Sequence, residues 1–101
     1  MDRDFIILKK NFLDWEWYDD TNMVRLYLHL LLSANYERSR WRGRPIERGQ
    51  LITGRKKLSS ETGISEQSVR TCLDRLVKSG VITIRPTNRF SVITICNYTN
   101  I

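Results

Sequence analysis

Cysteine and histidine are scarce in this sequence, and each shortage removes a class of function. The 101 residues hold two cysteines, Cys72 and Cys96, and one histidine, His29. Two isolated cysteines supply neither the ligand quartet of a structural zinc nor the bridges of a disulfide-framed scaffold. They read as small buried hydrophobes. His29 has no Cys, Asp or Glu at ligand spacing and no evident nucleophile beside it, so it reads as a surface or structural histidine. A phosphate-cradling glycine loop and a His-Glu-x-x-His pair are also missing. Gly54-Arg55-Lys56-Lys57 lacks the glycine spacing of such a loop and reads as a helix start. Neither an enzyme nor a cofactor is expected.

Long apolar runs are missing too. The longest, Leu26 to Leu32, is interrupted by His29 and falls well short of the roughly 18 apolar residues of a membrane span. Met1-Asp2-Arg3-Asp4 does not provide the basic flank that leads into a signal-peptide core. The expectation is a cytoplasmic protein. Its hydrophobic share of 41% and charged share of 28% suit a chain that buries a core rather than a disordered one. One folding unit over residues 1–101 is expected, since two independent cores need a longer chain.

Charge is present in quantity, and it is segregated. Residues 1–37 hold four Lys/Arg against seven Asp/Glu, while residues 38–101 hold thirteen against four. The net of +6 therefore hides an acidic first third and a strongly basic remainder. A basic surface of this kind suits a polyanion, because neutralised phosphates release their condensed counterions. A solvated basic face that merely keeps the protein dispersed is the competing reading.

Phe5 to Leu8 and Phe12 to Tyr18 are apolar and aromatic without a helical period, so residues 1–20 read as an arm packed on the core. Asp19, Asp20 and Thr21 supply acidic and capping groups ahead of a helix expected from Thr21 to Asn35. Its polar stripe of Arg25, His29, Ser33 and Tyr36 is narrow. That predicts burial on more than one side, against the rest of the domain or against a second copy. The arginine-rich residues 38 to 48, with Gly43 and Pro45, read as a loop. Gln50-Leu51-Ile52-Thr53 reads as a strand, with Thr53 placed to cap the next helix.

Residues 54 to 78 carry the functional argument. A short helix from Arg55 to about Thr62 precedes the turn Gly63-Ile64-Ser65 and a longer helix from Glu66 to Ser79. Gly63 suits the left-handed backbone that ends a helix, and Ser65 suits the cap of the next. Leu58 and Ile64 point inward, and Val69, Cys72, Leu73, Leu76 and Val77 form an apolar stripe at helical spacing. The opposite face of the second helix offers Gln67, Ser68, Thr71, Asp74, Arg75 and Lys78, with Arg70 at its flank. A helix about 10 to 12 Å across fits a DNA major groove of similar width, where Arg and Gln bond base edges in pairs. Val81 to Arg85 and Arg89 to Cys96 are β-branched runs bracketing Pro86-Thr87-Asn88, the pattern of a hairpin. Helix, strand, two helices and hairpin in this order predict an α+β fold, a winged helix-turn-helix with the hairpin as wing.

The expected partner is double-stranded DNA. Gln67, Ser68, Arg70 and Thr71 are candidates for bases, and Arg55, Lys56, Lys57, Arg75, Lys78, Arg85 and Arg89 for phosphates. Trp15, Trp17, Tyr18 and Trp41 either stack on single-stranded bases or pack in the core.

Several segments together resemble the N-terminal domain of phage-type replication initiation proteins, the replisome organisers related to the primosome component DnaD. They are Trp15-Glu16-Trp17-Tyr18, His29 to Asn35, Trp41-Arg42-Gly43, Arg48-Gly49-Gln50-Leu51-Ile52-Thr53, Thr62-Gly63-Ile64-Ser65, Val69-Arg70 and Ile95-Cys96-Asn97-Tyr98. The likeness runs over nearly the whole chain, although Gly54 stands where many relatives place a Ser cap. It implies a winged-helix domain that binds origin or primosome DNA and often self-associates, as a homodimer through the Thr21 to Asn35 helix or the arm. Longer members add a C-terminal part that recruits helicase machinery. That part is expected to be missing here, so helicase-loading partners attach only to it. A transcriptional regulator of the same fold, or a winged helix used mainly for self-association, remains the alternative.

Overall fold

The structure, a computed structural model, describes residues 5–98. The start of the expected arm, residues 1–4, and the last three residues lie outside them. Among the described residues the chain forms three α-helices and two small antiparallel sheets, an α+β arrangement. Helix α1 spans Thr21–Ser33, with Asp20 as its cap: the carboxylate accepts from the Met23 amide at 3.1 Å. It stops short of the expected Asn35 because Ala34 is already extended. Tertiary bonds take the next residue, as Asn35 exchanges backbone hydrogen bonds with Gln50 and Gly49 and its side-chain amide donates to Gln50 O.

Residues 38 to 48 are not a plain loop. Strands β1, Ser39–Trp41, and β2, Arg44–Ile46, pair across the two-residue turn Arg42-Gly43. Both turn residues have positive φ, 50° and 76°, the twist that fits a tight hairpin to its strands. Apart from Ile46 the hairpin is exposed, so no apolar alternation announces it.

Strand β3, Gln50–Thr53, leads into α2, Arg55–Thr62, and the short turn to α3, Glu66–Lys78. Gly63 ends α2 at φ 78°, and Ser65 Oγ accepts from the Ser68 amide to cap α3. Buried Thr62 braces the turn by donating to Leu58 O at 2.7 Å and accepting from the Ile64 amide at 3.2 Å. Arg25 of α1 supplies the C-terminal end of α2 with a donor to Thr62 O at 2.5 Å, meeting a carbonyl that has no partner within its own helix. Thr53 does not cap α2, contrary to expectation. It faces the core as the last residue of β3, and Gly54 takes the cap position without a side-chain bond.

Strands β4, Ile82–Pro86, and β5, Ser91–Ile95, form the expected hairpin, and β5 pairs on its other edge with β3. The inner sheet face, with Leu51, Ile82, Ile93 and Ile95, packs on Leu26 and Leu30 of α1, Leu58 of α2, and Val69 and Leu76 of α3. Each such fully buried aliphatic side chain stabilises the fold by roughly 1.5–3 kcal/mol. Two members of the expected apolar faces lie outside the core: Val77 is 40% exposed and Leu32 is 67% exposed. Helix α1 is thus buried mainly along Met23, Leu26, Leu30 and Leu31. Cys72 is buried as expected, and burial, aided by Asp20 and opposed by Arg75, pushes its thiol up. Cys96 is only half-buried.

The arm contributes Ile6, Trp15 and Trp17 to the core margin, with Phe12 stacked on both Trp15 and Tyr27, which also meet each other. Gly49 ties the segment before β3 to the C-terminal end of the described chain, with its amide donating to Asn35 O and its carbonyl accepting from the Ile95 amide. It sits at φ 82°, and a Cβ there would lie 2.9 Å from Tyr98 Cβ. Gly49→Ala is therefore expected to lower stability by roughly 1–3 kcal/mol from backbone strain alone, with displacement of Tyr98 adding to it. Urea unfolding measures this; an unchanged midpoint would show that the turn relaxes freely.

Candidate nucleic-acid interface

The outward face of α3 is open. Gln67, Arg70, Thr71, Asp74 and Lys78 are exposed and Ser68 is half-buried. Its charge is thinner than the composition promised, because Lys78 Nζ pairs with Asp74 at 3.0 Å. Both partners are well exposed, so this ion pair is weak and water competes for it. Arg75 is engaged within the fold. Its guanidinium lies 3.4 Å from Asp20 Oδ2 and 4.7 Å from the Trp17 ring centre, which fixes α3 to the arm and the start of α1. A helical wheel puts Arg75 outside, and its side chain stays 40% exposed, but Asp20 and Trp17 engage it. Trp17 and Trp15 likewise pack rather than present free rings, whereas Tyr18 and Trp41 are 43% and 37% exposed.

The densest positive charge lies elsewhere. An open cleft of about 1510 Å³ runs between the β1–β2 hairpin, the start of α2 and the tip of the β4–β5 hairpin. From the expected set it gathers Arg55, Lys56, Lys57 and Arg89. It adds three arginines that sequence reasoning passed over, Arg40, Arg42 and Arg44. The acidic lining is Glu61 and Glu66. Arg55, Lys56, Lys57, Arg70 and Arg89 have no carboxylate within ion-pair distance among the described residues. Local structure explains why these side chains converge. Helix α2 starts at Arg55, one residue after β3, so three successive basic residues occupy the first helical turn, where amides without helical partners already favour an anion.

Arg89 reaches the cleft from the turn after β4. Thr87 closes that turn: its amide and hydroxyl donate to Phe90 O, at 2.7 and 2.8 Å. Arg85 is not brought to the same place. It pairs across the sheet with Val92 and lies with Thr83, Thr94, Arg44 and Pro45 on the outer sheet face. Arg44 borders both regions.

His29 acquires a partner that spacing along the chain does not reveal. Its Nε2 lies 3.1 Å from Glu61 Oε1 of α2 and 3.5 Å from Ser33 Oγ. This contact joins α1 to α2 across the edge of the helical layer, consistent with a structural histidine. Among the described residues no helix is long and apolar enough to cross a membrane. Comparison of the chain with known protein families, with curated proteins and with solved structures finds no match.

Proposed function

We propose that this chain is a winged-helix domain that binds double-stranded DNA and serves in replication initiation, as its resemblance to phage-type replisome organisers implies. The observation that carries the DNA reading is the basic cleft, which α3 borders through Glu66 at its start. Seven Lys and Arg side chains converge there against two carboxylates. Such a concentration repels itself in the free protein and is relieved by a polyanion. In this reading β4–β5 is the wing and α3 enters the major groove. Gln67, Ser68, Arg70 and Thr71 meet base edges, while Arg55, Lys56, Lys57, Lys78, Arg85 and Arg89 hold phosphates. Arg75 belongs to the fold and is left out of the contact set. Only the resemblance separates a replication role from a transcriptional one.

A second reading, self-association through α1, draws on Leu32, which is 67% exposed. It continues the line of half-buried Val24 and Leu28 along an open groove of about 580 Å³ with Tyr18 and His29. Selection from random duplexes, run beside a mass measurement across concentration, tests both. An enriched site supports the DNA reader. Assembly with rising concentration and no enrichment supports the association module instead.

A further inference from the structure

We propose that the β1–β2 hairpin is a second arm for the DNA backbone, which with the first turn of α2 clamps a run of phosphates in the cleft. The inference rests on the DNA-binding reading above and adds residues 39–46 to it. All three arginines of this hairpin are exposed, and each is held. Arg40 Nη2 donates to Gly43 O across the turn at 2.7 Å. Arg42 lies over the Trp41 ring at 5.2 Å, and Arg44 over the Phe90 ring at 5.3 Å. A guanidinium stacked on an aromatic face loses rotamer freedom yet keeps donors at its edge, the geometry that suits phosphate oxygens.

The arm is also anchored. Trp41 meets Phe90 edge to face, with ring centres 5.0 Å apart, which joins the tip of β1–β2 to the turn of the β4–β5 hairpin. Phe90 and Arg89 are neighbours, so fixing Phe90 sets the approach of Arg89 to the cleft. At the floor, Gly54 would meet nothing within 4 Å on gaining a Cβ, leaving room above the first turn of α2. The adjoining Thr53 hydroxyl is buried without a hydrogen-bond partner among the described residues.

The occupant follows from where the rings stand. Trp41 and Phe90 suggest base stacking at first sight, but each already carries an arginine and each presses on the other. A base would have to displace an arginine from its ring, whereas a phosphate meets that arginine where it stands. The cleft therefore fits a duplex backbone better than unstacked bases.

The test compares the wild-type chain with R40A/R42A/R44A by fluorescence anisotropy, on a duplex of about 20 base pairs between about 50 and 200 mM salt. With the hairpin engaged, wild-type log affinity falls against log salt at a slope of roughly −6.7 to −7.7, and the triple variant returns to roughly −4 to −5, at about 0.9 for each of three phosphates. R40K/R42K/R44K recovers most of the slope, because charge rather than ring packing sets it. Thermal unfolding of each variant checks that the fold is kept. Equal slopes for wild type and triple alanine variant overturn the hairpin's role while leaving the DNA reading intact. Failure of the wild type to bind any duplex overturns both. A loss seen only on a single-stranded oligonucleotide overturns the phosphate clamp in favour of base stacking.

Discussion

Replacing Arg55, Lys56 and Lys57 together by alanine should weaken duplex binding roughly 500-fold near 0.1 M salt. The estimate takes about 0.9 in log–log slope for each of three lost phosphates. These residues are exposed and occupy the first turn of α2, so their removal takes charge from the cleft without opening the core. Alanine also favours the helix slightly more than the residues it replaces, and the unfolding midpoint should hold or rise. Anisotropy at several salt concentrations measures the loss. Affinity within threefold of wild type would place the DNA backbone away from α2.

The largest loss of stability is expected at Leu58. Helix α2 buries only Leu58 and Thr62, and Thr62 spends its hydroxyl on the turn. Leu58, fully buried, is thus the main apolar anchor of the helix that carries the cleft. Leu58→Ala should lower the unfolding free energy by about 2–5 kcal/mol, the transfer term plus the cavity left behind. Leu58→Met, which nearly conserves volume, should cost less than about 1.5 kcal/mol. Urea denaturation read by tryptophan fluorescence compares them. A loss below about 1 kcal/mol for Leu58→Ala would show that α2 is held chiefly by its polar contacts to α1.

Those polar contacts, Arg25 with Thr62 and His29 with Glu61, mark where sequence reasoning runs out. Each joins residues more than thirty positions apart, and no local period or motif encodes them. The segment from α2 to β5 was legible because its signals are local: a glycine with left-handed backbone at Gly63, a capping serine at Ser65, an apolar stripe, and β-branched runs around a turn. The β1–β2 hairpin was not. Its strands carry arginine where apolar alternation would mark them, and its turn needs positive φ at Arg42, a residue that does not announce it. Reading residues 38–48 as a loop thus hid three of the seven cations of the cleft. Arg75 differs in the opposite sense, since its place on α3 looks outward and only the tertiary fold brings Asp20 and Trp17 against it. Thr53 misled by residue type alone, being a good cap in composition and a core strand residue in fact.

The same contrast explains how the candidate site divides. Gln67, Ser68, Arg70 and Thr71, the residues proposed to meet bases, lie on the helix face that periodicity points to, and that face is open. The set proposed to meet phosphates required the tertiary fold, because only the arrangement of two hairpins about the start of α2 gathers Arg40, Arg42, Arg44, Arg55, Lys56, Lys57 and Arg89 around one cleft.

Titrating the wild-type chain with a random-sequence duplex at stepped ionic strength examines the proposed function most directly. The result predicted here is tight association that declines with a log–log slope of −4 or steeper, which corresponds to about five or more phosphates released from their counterions. Association indifferent to salt, or none at the lowest ionic strength, would contradict it.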